Sequence, residues 1–296
     1  MEKNILFRGV ATALVTPFCK NGIDFAAYEK LLLTQREASA LVVAGTTGEA
    51  PTLSERERDA LLSFTLEKNG GRLPVIMGAG SYDTAHAVHF VKRAAALGAS
   101  GVLCVTPYYN KGTRMGVRQH FLLLAEASEI PVILYNVPSR TGVNLSLADY
   151  EELLSHPNVA GVKEAEDSAE KFACLSKHFG AIKGIYTGND AFLLPALSLG
   201  ADGVISVASN IIPKHICSVF ECFEKGDVES ARRRFLSVHP IIRALFRETN
   251  PTPVKTALAM LGIGNGECRL PLTSAEPHTV EELRHLLSVF SEQTDG

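Results

Sequence analysis

The sequence lacks the apparatus of several large functional classes. No apolar run approaches the length that crosses a bilayer, and the opening MEKNILFRGV has no long apolar stretch after its basic residue, so neither an anchor nor an export signal is read. Charge of one sign is missing too. Lys and Arg number 29 against 32 Asp and Glu, a net charge of −3, which gives no reason to expect a nucleic-acid or lipid-surface partner. The six cysteines, Cys19, Cys104, Cys174, Cys217, Cys222 and Cys268, form no CxxC pair, and a cytoplasmic chain of this size keeps them reduced. The nine histidines form no ligand cluster; His86 and His89, at helical i,i+3 spacing, decorate a helix face. GxGxxG and Walker loops are absent, and with them the usual phosphate cradles. The expectation is a cytoplasmic protein whose spacings support neither a metal nor a nucleotide.

What the chain has instead is one pattern repeated. Short apolar runs rich in Val, Ile and Leu begin near residues 9, 40, 74, 101, 131, 159, 182 and 201, each entered from Gly, Pro or Ala. Between them lie amphipathic stretches such as SERERDALLSFTLEKNG and TAHAVHFVKRAAALG. Continuous apolar strands alternating with helices mean a parallel sheet covered by helices. Eight such units without a composition break favour a closed (β/α)8 TIM barrel of the α/β class over an open doubly wound sheet. Helical patterning continues past the eighth unit through VFECFEKGDVESARRRFLSVHPIIRALF, PVKTALAMLG and VEELRHLLSVF. The expected division is a catalytic barrel over residues 1–225 and a C-terminal helical extension over 226–296.

In such barrels the chemistry collects at the C-terminal ends of the strands. Those ends are polar here: Thr16; Thr46, Thr47 and Glu49; Thr106, Tyr108 and Tyr109; Tyr135 and Asn136; Lys163 and Glu164; Thr187 and Asn189; Ser206. Lys163 is the odd one, because it stands inside the apolar run NVAGVKEAED and a buried ammonium is expensive unless something compensates. A rim lysine paired with Glu164, Glu166 or Asp167 is the plain alternative. Strand alternation turns the lysine inward if Val162 and Glu164 face the helices, and desolvation there favours the neutral amine that attacks a carbonyl. GTTGE is a Gly-flanked turn whose hydroxyls and backbone N–H groups suit a carboxylate, or simply a tight turn before a TLSERE capping box. Tyr135 fits a proton-transfer role and a core position about equally. Arg140, in a PSRTG loop at the catalytic face, suits a fork-like grip on a carboxylate.

GTTGE, TPYYN, YNVPSRTG, GVKEA, GND, GVISV, NPTPVKTAL and RLPL occur in that order over nearly the whole chain. Together they resemble the 4-hydroxy-tetrahydrodipicolinate (dihydrodipicolinate) synthase family of pyruvate-dependent class I aldolases. The resemblance implies a lyase that condenses pyruvate with L-aspartate 4-semialdehyde, in lysine and diaminopimelate biosynthesis, without metal or organic cofactor. It implies that Lys163 carries the imine, that Tyr135 is the general acid/base, and that Thr47 links Tyr135 to Tyr109. In the family the last tyrosine reaches across from a neighbouring subunit, which implies a homotetramer built as a dimer of dimers. Thr46 and Thr47 would grip the pyruvate carboxylate, Gly188 and Ile205 would line the pocket through their backbones, and Arg140 would take the semialdehyde carboxylate.

The alternative is an N-acetylneuraminate lyase or a 2-keto-3-deoxy sugar-acid aldolase of the same superfamily, set apart by Arg140. A non-catalytic barrel that binds pyruvate-like acids is opposed by the intact set of Lys163, Tyr135, Thr47 and Tyr109. KGTRMG follows TPYYN where many members have a proline after the lysine. At the place where lysine-sensitive members bind free lysine, Tyr82 aligns with an asparagine, His86 with a glutamate and Arg58 with a histidine. Weak or absent inhibition by lysine is expected, because those side chains cannot supply the negative charge an ammonium needs.

Overall fold

The apolar runs become strands because β-branched side chains pack well on both faces of a sheet that is covered twice. The computed structural model describes residues 5–294. After β1 (Gly9–Ala13) comes a separate hairpin of β2 (Phe18–Cys19) and β3 (Gly22–Ile23), which no periodicity announced because two-residue strands carry none. Then follow β4 (Ala40–Val43), β5 (Val75–Gly78), β6 (Gly101–Val105), β7 (Val132–Asn136), β8 (Val159–Glu164), β9 (Gly184–Thr187) and β10 (Gly203–Ser206). β1 and β4–β10 close a parallel barrel, sealed where β1 pairs with β10 from Gly9↔Gly203 to Thr12↔Ser206. The seam depends on glycine: Gly203 has φ +150°, and a Cβ there would lie 1.8 Å from the Gly9 carbonyl oxygen.

Alternation sorts the strand residues into two layers. Ala11, Val42, Ile76, Leu103, Ile133 and Ile205 fill the barrel, while Val10, Leu41, Val75, Leu134 and Val162 pack under the helices. Where the chain enters β1, Phe7 stacks on Tyr186 with ring centroids 4.2 Å apart, and the tyrosine hydroxyl donates to the Phe7 carbonyl at 2.7 Å. The helices start and stop on local signals. Ser54 and Glu57 form the expected capping box ahead of helix Glu55–Asn69, which ends on the left-handed Gly70; Asp83 and Gly98 bracket Thr84–Leu97. Past the Pro213–Glu224 helix lie three more, Val228–Leu245, Thr252–Met260 and Pro277–Thr294. Among the described residues no helix is long and apolar enough to cross a membrane.

Candidate active site

Strand register decides where Lys163 points. β7 and β8 pair Leu134 with Val162 and Tyr135 with Lys163. Val162 lies in the layer under the helices, and Glu164 accepts hydrogen bonds from Tyr150 at 2.6 Å and from Asn136 at 2.9 Å. Lys163 therefore faces the interior. The carboxylates that offered a rim pairing are engaged elsewhere: Lys171 pairs with Glu166 and lies 3.5 Å from Glu164, and Asp167 accepts from Asn189 at 2.7 Å. Lys163 is 5% exposed and Tyr135 6%. The lysine Nζ stands 4.2 Å from the centroid of the Tyr135 ring, so an aromatic face compensates part of the ammonium's desolvation. Asp190, fully buried, accepts from the Ser206 hydroxyl and from the N–H groups of Val207 and Ala208 at 2.9 and 3.2 Å. Burial raises the Asp190 carboxyl, and these hydrogen bonds and the Lys163 charge oppose that rise.

Lys163 and Tyr135 open into a cavity of about 860 Å³. Thr46, Thr47, Arg140 and Gly188 share its wall. The structure thus brings together six of the residues expected from the sequence. Thr47 is buried, and its Oγ1 accepts from Asn250 Nδ2 at 3.0 Å. Arg140 sits on a single helical turn, Pro138–Thr141, rather than in an irregular loop, because Pro138 presets the first position and Gly142 supplies a left-handed cap. Its Nη2 donates to the Asn250 carbonyl at 3.0 Å. Gly188 leaves the space in which Lys163 runs, since a Cβ there would come within 2.9 Å of Lys163 Cε.

Two expected residues lie off this wall. Ile205 is fully buried among the barrel's interior side chains. Tyr109 is 90% exposed with φ +69°, an uncommon backbone conformation for a residue with a Cβ. Other polar strand ends are fasteners between loops. Thr16 donates to the Gly48 carbonyl at 2.7 Å, and Thr106 to Thr141 at 3.2 Å.

Sequence reasoning missed the far wall, which the Val228–Leu245 helix supplies through His239 and Arg243 and the turn after it through Phe246 and Asn250. It also missed the buried pair of Glu49 and Lys255, whose Oε1 and Nζ are 2.6 Å apart. Lys255 lies 4.1 Å from the Phe18 ring centroid, and Glu49 accepts in addition from the Arg269 N–H at 2.9 Å. Burial pulls the Lys255 ammonium below its usual range, and Glu49 opposes the shift. This pair pins the GTTGE turn to the Thr252–Met260 helix.

A second cavity, of about 330 Å³, shares Thr46, Tyr135 and Arg140 with the first and is lined further by Arg58, Phe90 and Tyr108. The Arg58 guanidinium is buried, lies 4.4 Å from the Phe90 ring centroid and donates to the Gly78 carbonyl. Tyr82 meets Tyr108 edge-on with centroids 5.5 Å apart, and His86 is exposed. Among the described residues no group of three or more His, Cys, Asp or Glu side chains is placed to hold a metal ion.

An amine at the strand ends of a closed barrel, with a phenol against it, puts the chain among the aldolase-type barrel lyases. A family model narrows this further: the chain belongs to the Dihydrodipicolinate synthetase family, which matches it over residues 6–290. A 4-hydroxy-tetrahydrodipicolinate synthase from Thermotoga neapolitana is 45% identical over 288 residues, covering 95% of this chain and 98% of the relative. The crystal structure of dihydrodipicolinate synthase from Thermotoga maritima aligns with a TM-score of 0.93 at 42% identity, covering 96% of this chain and 98% of that one. A chloride-inhibited dihydrodipicolinate synthase from Acinetobacter baumannii, solved in complex with pyruvate, gives 0.92 at 38% identity over 95% and 98% of the two chains.

Proposed function

We propose that the chain condenses pyruvate with L-aspartate 4-semialdehyde, in lysine and diaminopimelate biosynthesis, through an imine on Lys163. The observation that carries this reading is the inward amine, 4.2 Å from the Tyr135 ring centroid, in a cavity whose wall also holds Arg140. The Lys163 amine adds to the keto carbon of pyruvate and water leaves, a step that needs proton transfer at both stages. In this reading Tyr135 moves those protons. Loss of a methyl proton turns the imine into an enamine whose carbon attacks the aldehyde. The α-amine of the second substrate then closes the ring and releases Lys163. Thr46 and the Thr47 backbone N–H bind the pyruvate carboxylate, the Thr47 hydroxyl links Tyr135 to Tyr109 in the proton relay, and the Arg140 fork takes the carboxylate of the semialdehyde.

Tyr109 enters this reading as a group used by another subunit. Its 90% exposure on a left-handed residue supports that role, because it leaves the ring open to a neighbouring subunit. The assembly is then a homotetramer built from dimers, working in the cytoplasm. The barrel of residues 1–225 supplies the chemistry and the extension of 226–296 completes the wall. A sugar-acid lyase is disfavoured, because Arg140 stands where a long uncharged polyol would have to lie and the named relatives are synthases.

Borohydride added with pyruvate should fix a stable adduct on the peptide containing Lys163, and Lys163→Ala should lose adduct and turnover while keeping its fold. Adduct on another lysine overturns the assignment. Arg140→Ala should raise the KM for aspartate semialdehyde at least about tenfold, as loss of a charge-assisted pair does, with pyruvate trapping intact. Better turnover with N-acetylmannosamine than with the semialdehyde would favour the lyase reading.

A further inference from the structure

Asn250 lies in the turn between the Val228–Leu245 and Thr252–Met260 helices and touches both substrate grips. Its Nδ2 donates to Thr47 Oγ1 and its backbone carbonyl accepts from Arg140, each at 3.0 Å. The residue is 6% exposed, and its Oδ1 is buried without a hydrogen-bond partner. A half-satisfied buried amide is worse for stability than an apolar side chain of the same size. The donor end explains why it is there. A threonine hydroxyl has one hydrogen and two lone pairs. With a lone pair of Thr47 committed to Asn250, the hydroxyl hydrogen is left for the cavity, whose wall carries Tyr135.

We infer that Asn250 is a positioning residue that fixes the direction of the Thr47 hydroxyl, so that Thr47 donates toward Tyr135. The inference rests on the reading in which Thr47 and Tyr135 relay protons. A donated hydrogen bond stabilises the Tyr135 oxygen after it has given up its proton, and it leaves the phenolic hydrogen free for the reacting atoms. An acceptor at position 250 reverses this. It draws the Thr47 hydrogen to itself and turns a lone pair toward Tyr135, which then has to spend its hydrogen on Thr47.

The test is steady-state kinetics with saturating aldehyde on Asn250→Asp, Asn250→Leu, Thr47→Val and both double variants, each checked by thermal melting. Asn250→Asp, nearly isosteric but an acceptor, should lower kcat about 100-fold, within the range of lost acid–base assistance. Asn250→Leu should lower it about tenfold, with the KM for pyruvate within about threefold of wild type in both. In the Thr47→Val background each change should cost less than about twofold more, because the hydroxyl whose direction it sets is gone. Losses that multiply in the double variants overturn the inference, as does an Asn250→Asp enzyme at least as active as Asn250→Leu. If Asn250→Asp does not fold, the cycle of Asn250→Leu with Thr47→Val decides by the same criterion. Full activity in Thr47→Val, or no adduct on Lys163 in the wild type, would instead remove the relay reading itself.

Discussion

Gly188 leaves the room in which the Lys163 stem lies. Its backbone is not in the left-handed region, so alanine meets no dihedral strain there. The added Cβ, however, would lie 2.9 Å from Lys163 Cε, 2.9 Å from Ala165 Cβ and 3.3 Å from Lys163 Cγ, where ordinary contact begins at 3.4 Å. Ala165 cannot yield, because its Cβ is fixed to the backbone of the same strand end. The lysine stem must move instead. Relief of about 0.5 Å at Cε becomes roughly 1 Å at Nζ, and a misplacement of that size costs on the order of 100-fold in rate. That is about 2.7 kcal/mol of transition-state stabilisation, beside an overpacking cost of about 1–3 kcal/mol in stability. The assay is timed borohydride quenching after mixing with pyruvate, run alongside kcat/KM for each substrate and a calorimetric melt. Imine formation in Gly188→Ala should slow about 10- to 100-fold while the protein still melts cooperatively. A wild-type rate of imine formation, or a defect confined to the aldehyde, would refute the steric argument.

Glu49→Gln leaves the Lys255 ammonium buried and unpaired, which costs about 3–5 kcal/mol and should lower the melting temperature by roughly 5–10 °C; a shift under about 1 °C contradicts the pairing. Glu57 is held down to about 2, chiefly by its hydrogen bond from Arg269. The folded value lies below the unfolded one, so its contribution is fully present above the ordinary 4.5 and is lost as pH falls from there toward about 2. The stability gap between wild type and Glu57→Gln in denaturant titrations should therefore narrow from pH ~7 to pH ~3.5, and a constant gap refutes it. Free lysine raised into the millimolar range should leave initial rates at subsaturating pyruvate nearly flat. Arg58, aligned with a residue of the lysine site in sensitive members, is a buried cation, and a lost charge-assisted bond weakens binding about ten- to a hundredfold. Strong inhibition at submillimolar lysine would show that other groups rebuild the site.

The ring of strands was legible because a strand buried on both faces reads as an uninterrupted apolar run. The runs expected near 9, 40, 101 and 159 begin in the structure at Gly9, Ala40, Gly101 and Val159. Lys163 was legible for the same reason, since a period of two leaves it only one direction once Val162 faces the helices. Thr46, Thr47 and Arg140 could be placed at the mouth because they follow strands directly. The far wall could not. Asn250 and Arg243 reach the cavity through the packing of helices far along the chain, and no local pattern ties Asn250 to a threonine 203 positions away. Glu49 could be placed at the strand ends but not paired with Lys255, because nothing in either segment reveals a partner 206 positions distant. Arg58 lies in the charged start of a helix, SERERD, and its burial becomes visible only with Phe90 from the next helix beneath it.

The glycine seam between β1 and β10 sets an order of events on the ribosome. β1 emerges before the rest of the ring, while its partner at Gly203 is still untranslated. At about 5–20 residues per second that neighbour arrives roughly 10–40 s later. Until then the ring stands open at an apolar edge, and the nascent chain is a natural client for holding chaperones. The amine at position 163 is synthesised before the wall at position 250, so a message cut short before residue 250 yields a polypeptide carrying Lys163 but no finished pocket. Synthesis therefore completes the pocket only after the strands of the ring are all made.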